Sequence, residues 1–293
     1  MTITGGTRLA ALIGTPVGHS LSPALLNAAA ASAGVDLAFV AFDVSPSAVG
    51  AALDGVRAFG LAGLSVTMPH KEAVAALVDE RSDDAALLGA VNCVVPVGRG
   101  LLRGENTDGG GFVDSLRADD VEPSGLRCAV LGAGGAARAV VLALARAGAA
   151  EVVVVNRTPE RAEAAAALAG PVGRVGEERA VREADLVVNA TPLGMGDDPA
   201  MPVDPSLLHA GQIVADLIYH PRRTPLLEAA SAAGTLTVDG LGMLVHQAAR
   251  AFELWTATVP DRQAMAVAAI AELRERAGQR GRGSLGTRSG RTD

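Results

Sequence analysis

The sequence predicts an α/β protein of two domains, one built on a mostly parallel sheet and one Rossmann-like, with a cleft between them. Three observations carry this. Strand-like and helix-like stretches alternate through the first hundred residues, and an independent series begins at residue 127. Residues 129–161, AVLGAGGAARAVVLALARAGAAEVVVVNRTPER, give an apolar strand, a glycine turn, an alanine-rich helix and a second apolar strand. After residue 240 the pattern is purely helical, and helices that follow a completed sheet must bury their apolar faces somewhere.

In chain order the expected elements are a strand at 8–13, a helix at 22–33 opened by Ser-Pro, a strand at 38–44 and a helix at 47–59. A strand at 61–66, a helix at 71–77 and a strand at 91–97 ended by Gly98 follow. The second series places strands near Ala129, Val152, Leu186, Ile213 and Leu236, then helices at 243–258 and 260–277. These last helices pack most economically on the first domain. That makes it discontinuous, 1–108 with 241–277, around a nucleotide domain at 109–240. The last sixteen residues, GQRGRGSLGTRSGRTD, hold five Gly, four Arg and almost nothing apolar, the composition of a disordered tail at 278–293.

The bulk numbers narrow the function class. A chain of 293 residues, 49% hydrophobic with mean hydropathy +0.30, has room for two cores. Aromatics at 2% leave little for base stacking, and a net charge of −7 opposes a duplex-binding surface, so no nucleic-acid partner is expected. No apolar run reaches the ~18 residues of a membrane span, and the N-terminus lacks a basic-then-apolar leader. A soluble cytoplasmic protein with no membrane partner, monomer or homodimer, is the expectation. Cys93 and Cys128 each sit in an apolar run and read as small buried side chains, with no ligand spacing for a metal.

The glycine-turn unit has a specific chemistry. Gly132 permits a tight turn, Gly134 lets the backbone approach a pyrophosphate, and Ala137 stands for the third glycine of GxGxxG with a side chain still small enough for helix–strand packing. Gly132, Ala133, Gly134, Gly135 and Ala136 thus form a phosphate cradle at a helix N-terminus. An NAD site ends the second strand in Asp or Glu. Here, 19 residues after Ala137, stand Asn156, Arg157 and Thr158, with Arg161 a helical turn on. Two guanidiniums and a hydroxyl suit a 2′-phosphate, so the expected cofactor is NADP.

Four loops of the first half are rich in polar groups: GHSLSP (18–23), SVTMPHK (65–71), GAVNCV (89–94) and GENTDGGGF (104–112). They offer Ser20, Ser22, Thr67, Lys71, Asn92, Asn106 and Asp108. Taken singly, Ser22-Pro23 is a helix start, Asn106-Thr107-Asp108-Gly109 a turn and Lys71 a solvated first-turn lysine. Taken together ahead of an NADP unit, they suit a small polyhydroxylated substrate bearing a carboxylate.

The order of motifs resembles the shikimate dehydrogenase family over about residues 8–256. GTPVGHSLSPALLN, SVTMPHK, GAVN, GENTDGGGF, GAGGAARA, NRTPERA, NATPLGM, DLIYHPRRTPLL and DGLGMLVHQAARAFELW carry the resemblance. It implies reduction of 3-dehydroshikimate to shikimate with NADPH, a step toward chorismate and the aromatic amino acids. It also implies that Ser20 and Ser22 bind the substrate carboxylate, that Thr67, Asn92, Tyr219 and Gln247 hold carboxylate or ring hydroxyls, and that Lys71 and Asp108 are the catalytic pair. Thr191, Met195 and Gly240 join the cofactor set. Two places depart from the family pattern: Ser65 stands where many members have Asn, and Pro192 and Leu193 where smaller Ser residues are common.

Chemistry supports the pair. Hydride delivered to a ketone makes an alkoxide that needs a proton at once, and a cationic lysine both stabilises that charge and supplies the proton. Lys71 is therefore the expected acid and Asp108 its orienting partner. The mechanism needs neither His19 nor His70, and His246 reads as a packing or surface residue. The alternatives are a quinate/shikimate dehydrogenase using NAD, opposed by Arg157, Arg161 and Ser22, where quinate users tend to carry Thr; a non-catalytic NADP-binding sensor, opposed by the retention of Lys71 and Asp108; and a relative acting on an aminated shikimate analogue or a folate, the latter wanting more aromatic surface.

Overall fold

The computed structural model describes residues 2–285. β1 (Arg8–Gly14) is buried on both faces: Ala10 and Leu12 enter one core, Ala11 and Ile13 another. Burial on both faces explains why the strand reads as an unbroken apolar run. α1 (Ser22–Ser32), β2 (Leu37–Asp43), α2 (Val49–Phe59), β3 (Gly63–Val66) and α3 (Lys71–Leu77) follow close to their expected bounds.

Four elements of this half are missing from the sequence reading. β4 (Glu80–Arg81) and α4 (Asp83–Leu88) are too short to show a period, although Ser82 caps α4 by accepting from Ala85 N. The third is β6 (Leu102–Glu105), which forms a hairpin with β5 (Cys93–Pro96), the strand expected at 91–97, through a turn at Gly98, Arg99 and Gly100, all at positive φ. The first sheet has the order β2-β1-β3-β5-β6-β4. The β1–β2, β1–β3 and β4–β6 pairings are parallel, but β5 runs antiparallel to both neighbours, so the sheet is mixed.

The fourth missed element is α5 (Asp108–Ala118), where the glycine run GGG reads as a turn. The structure gives those glycines a different task. A Cβ on Gly109 would strike the Ala139 carbonyl and the Ala143 side chain, and one on Gly111 would lie 2.5 Å from Gln247 N. The run lets α5 cross two other helices at backbone distance, and so seats Asp108, its first residue, between the two halves of the molecule.

The second sheet is wholly parallel, built from β7 (Arg127–Leu131), β8 (Glu151–Val155), β9 (Gly173–Val175), β10 (Leu186–Asn189), β11 (Ile213–Asp216) and β12 (Leu236–Val238) in the order β12-β11-β10-β7-β8-β9. Only the three-residue β9 was not anticipated. Cys128, Val130, Val152, Val154, Leu186 and Val188 meet α6 (Gly135–Arg146) and α7 (Pro159–Ala166) on one face, while Ala129, Leu131, Val187 and Val214 meet α8 (Pro225–Ala232) on the other. The strand order reverses between β7 and β10, and in open α/β sheets ligands gather outside the strand ends at such a point.

α9 (Gly240–Thr256) and α10 (Arg262–Leu285) return to the first sheet, burying Val245, Phe252, Trp255, Met265 and Ala269 in one cluster with Leu25, Leu26 and Phe39. The sequence ends this helix at 277 and expects a tail from 278; α10 extends to Leu285. A glycine costs a helix only about 1 kcal/mol, so scattered glycines do not by themselves stop one. The remainder of that expected tail, 286–293, lies outside the described residues.

Candidate active site

Loops at the strand ends of both sheets face each other across a cleft of about 220 Å³. Ser20, Ser22, Ser65, Thr67, Lys71, Asn92 and Asp108 line it from the first half of the chain, with Ala136, Leu217, Tyr219, Gly240, Met243, Leu244 and Gln247 from the rest. The structure thus brings together the substrate-site residues Ser20, Ser22, Thr67, Asn92, Tyr219 and Gln247, the Lys71–Asp108 pair, and two residues expected at the cofactor, Ala136 and Gly240.

Lys71 opens α3 and Asp108 opens α5, and Lys71 Nζ donates to Asp108 Oδ2 at 2.6 Å. The other carboxylate oxygen is engaged too: Asn92 Nδ2 donates to Asp108 Oδ1 at 2.7 Å and to Thr107 Oγ1 at 3.0 Å, while Asn92 Oδ1 accepts from Thr107 N at 2.8 Å. Asn92, Thr107 and Asp108 are all buried, whereas the Lys71 side chain keeps 26% of its surface. The carboxylate is therefore held in one orientation while the ammonium remains open to the cleft. Asn106, read as a possible ligand, instead shapes this turn, accepting from Asp108 N at 3.2 Å and donating to the Ala90 carbonyl at 3.0 Å.

Ser20 Oγ accepts from Ser22 N at 3.2 Å, tying the two hydroxyls into one loop at the start of α1. Gln247 donates to the Leu244 carbonyl at 2.9 Å, one turn back on α9. Burial pushes the Tyr219 phenol above its ordinary pKa, offset in part by the charge of Arg276. His70 is buried and donates from Nε2 to the Val44 carbonyl at 2.6 Å, a structural contact, and His19 is exposed. Burial lowers the pKa of His246, beside Gln247. Burial also raises both thiols, Cys128 to about 12, so neither cysteine offers a thiolate.

The cofactor cradle fits its group. Gly132 sits at φ 108, closed to other residues, and its amide donates to the Val155 carbonyl at 2.8 Å. Gly134 and Gly135 are exposed, and a Cβ on either would meet no atom within 4 Å, so the start of α6 presents bare backbone to open space. No side chain caps that helix, which leaves its first N–H groups and dipole free for phosphate. Beyond β8, Asn156 donates to the Thr158 carbonyl at 3.0 Å, and Arg157 and Arg161 are exposed and make no ion pair among the described residues. Two free guanidiniums flanking Thr158 match a 2′-phosphate.

A buried network missed in the sequence positions the remaining loop expected at the cofactor. Asp216, at the end of β11, accepts from Asn189 Nδ2 at 3.0 Å, Ile218 N at 3.0 Å and Thr224 Oγ1 at 2.7 Å. Asn189 Oδ1 in turn accepts from Thr191 N and Oγ1 at 2.9 and 2.7 Å. One carboxylate thus ties the loop of Thr191 and Met195 to the strand end that leads to Tyr219. Desolvation raises its pKa, and the three donors limit the rise. A strand-terminal Asp was the available signal, but its partners lie at 189 and 224, unlinked by any short motif.

Known families match along the chain: the shikimate dehydrogenase substrate binding domain over residues 12–94, the NADP oxidoreductase, coenzyme F420-dependent, family over 127–218, and the shikimate 5′-dehydrogenase C-terminal domain over 240–269. The shikimate dehydrogenase (NADP(+)) of Methanopyrus kandleri is 46% identical over 288 residues, covering 94% of this chain and 99% of that one. The chain belongs to the shikimate dehydrogenase family. The crystal structure of the family's Thermus thermophilus member, shikimate 5-dehydrogenase in complex with NADP(H) and shikimate, is 41% identical with a TM-score of 0.86, covering 91% of this chain and all of that one. Quinate dehydrogenase from Corynebacterium glutamicum in complex with NAD is also similar, at 34% identity and a TM-score of 0.84, covering 90% of this chain and 99% of that one. Fold alone therefore does not separate shikimate from quinate dehydrogenases; the side chains beyond β8 bear on the cofactor and those lining the cleft on the substrate.

Proposed function

We propose that this chain is an NADP-dependent shikimate dehydrogenase, an oxidoreductase acting on a CH–OH group that interconverts 3-dehydroshikimate and shikimate on the route to chorismate. The observation that carries the reading is the Lys71–Asp108 pair at 2.6 Å, opening on a cleft that Ala136 of the dinucleotide cradle also lines. Residues 1–108 with 241–277 are assigned to the substrate domain and 109–240 to the NADP domain.

Gly132, Ala133, Gly134, Gly135 and Ala136 would hold the pyrophosphate of NADP, Asn156, Arg157, Thr158 and Arg161 its 2′-phosphate, and Thr191, Met195 and Gly240 its nicotinamide half. Bound there, NADPH supplies a hydride. Ser20 and Ser22 take the substrate carboxylate, while Thr67, Asn92, Tyr219 and Gln247 orient carboxylate and ring hydroxyls. Lys71 Nζ gives the developing alkoxide its proton and takes it back in the reverse direction. Asp108, with Oδ1 fixed by Asn92, holds the ammonium in place and accepts a hydrogen bond from a neighbouring substrate hydroxyl. Positioning of this kind removes orientational entropy from the chemical step.

Every residue assigned to the site comes from one chain, so a monomer suffices and a homodimer is compatible. The proposal includes a cytoplasmic location, supported by two buried, unpaired cysteines. Steady-state turnover of shikimate and of quinate, each with NADP⁺ and with NAD⁺, tests the reading. Preference for shikimate with NADP⁺ supports it, and preference for quinate with NAD⁺ overturns the assignment of Arg157 and Arg161.

A further inference from the structure

α10 packs beside α1 through Met265 and Ala269, with Ala266, Ile270 and Leu273 partly buried against the same core. One turn beyond Leu273, Arg276 faces the loop that precedes α1. Its Nη1 donates to the His19 carbonyl at 2.5 Å and its Nη2 to the Ser20 carbonyl at 3.1 Å. Its Nε donates to Glu272 Oε1 at 2.7 Å, so all three guanidinium nitrogens are committed and the fork is fixed in direction. Two adjacent carbonyls, separated from Arg276 by 257 and 256 residues in sequence, are gripped by one side chain.

The loop so held is the one that presents Ser20 and Ser22 to the cleft, with Ser20 Oγ already accepting from Ser22 N. The charge also reaches Tyr219, another residue lining the cleft, whose raised pKa Arg276 draws down. Charge balance gives this weight. Among the residues lining the cleft, Lys71 is the one cation and Asp108 neutralises it at 2.6 Å. A carboxylate brought to Ser20 and Ser22 would meet hydroxyls and a phenol but no uncompensated positive charge in direct contact.

We propose that Arg276 is a positioning residue for the substrate carboxylate: it fixes the Ser20–Ser22 loop through the His19 and Ser20 carbonyls and sets a positive charge behind it. This rests on reading the cleft as a shikimate site. Arg276 touches neither the Lys71–Asp108 pair nor the dinucleotide cradle, so its effect falls on substrate binding and not on proton transfer.

The test compares the wild-type protein with Arg276→Met and Arg276→Lys in shikimate oxidation with NADP⁺, with Tm measured for each. For Arg276→Met the KM for shikimate rises about 10- to 100-fold, the worth of charge-assisted hydrogen bonds, while kcat and the KM for NADP⁺ stay within about threefold. Arg276→Lys restores the charge without the fork and lies between the two. If Met impairs folding, the Lys variant alone still decides, through a raised shikimate KM at unchanged kcat. A shikimate KM within about twofold of wild type in both variants overturns the proposal. So does a loss shared equally by kcat and the NADP⁺ KM, the mark of general structural damage. A wild-type protein that does not oxidise shikimate overturns the reading of the site and this proposal with it, whereas active wild type with indifferent variants overturns this proposal alone.

Discussion

Replacing Lys71 by Met removes the ammonium while keeping an unbranched apolar stem at the first position of α3, where helix propensity is nearly unchanged. At 2.6 Å from Asp108, the gross Coulomb attraction at an effective dielectric of 20 is about 6 kcal/mol. Desolvation and the remaining Asn92 donor reduce the net loss of stability to about 1–3 kcal/mol, a cost that a folded domain of this size tolerates. The chemical cost is larger. Loss of a positioned proton donor slows turnover by about 10²- to 10⁴-fold, or about 3–5 kcal/mol in the barrier. Lys71 is already engaged by Asp108 and is not assigned to the substrate carboxylate, so the KM for shikimate stays within about threefold. The assay is initial-rate absorbance of the reduced nicotinamide at saturating shikimate and NADP⁺, with circular dichroism to verify folding. A folded variant with kcat within about threefold of wild type removes Lys71 from the mechanism. One that loses shikimate affinity as much as kcat makes Lys71 a binding residue.

Three more outcomes follow from the geometry. Arg157→Ser deletes a charge-assisted contact to the 2′-phosphate worth about 1.5–3 kcal/mol, raising the KM for NADP⁺ about 10- to 150-fold and sparing NAD⁺; equal loss for both cofactors makes the arginine structural. Gly63→Ala drives a methyl group into the Trp255 indole, whose Nε1 donates to the Val94 carbonyl at 3.1 Å, and costs about 1–3 kcal/mol, or about 2–12 °C in Tm. Trp255 is the sole tryptophan, so its emission reports the shift directly, and unchanged emission with unchanged Tm contradicts the packing. Asp216 binds its proton more tightly folded than unfolded, so its contribution is full below the ordinary carboxylate pKa and is lost as pH rises through the raised value. Asp216→Asn, which can still accept from Ile218 N and Asn189 and donate to Thr224, therefore gains stability relative to wild type in urea unfolding between about pH 4 and pH 7; a relative loss over that range contradicts the assignment.

Legibility in the sequence followed the range of the interaction. β7, α6 and β8 are found near their expected bounds because their signal is local: a buried apolar run, a glycine turn and an alanine-rich helix adjoin one another. The polar residues that line the cleft were individually ambiguous; their joint appearance ahead of the dinucleotide unit grouped Ser20, Lys71 and Asp108, and the family resemblance added Tyr219 and Gln247 and gave each a role. What escaped was non-local or very short. β5 runs against its neighbours because a tight hairpin reverses the chain, which an apolar run cannot express. The three glycines after Asp108 read as a loop because the helices that need them, α6 and α9, are distant in sequence. Asp216 and Arg276 act through partners at 189, 224, 19 and 20, and no motif connects such pairs.

The most direct test of the account is the initial rate of the wild-type protein with shikimate or quinate, each against NADP⁺ or NAD⁺. The account predicts a kcat/KM for shikimate with NADP⁺ at least about tenfold above every other combination, the factor a single charge-assisted contact to the 2′-phosphate supplies. Turnover chiefly with quinate and NAD⁺, or none in any of the four, contradicts it.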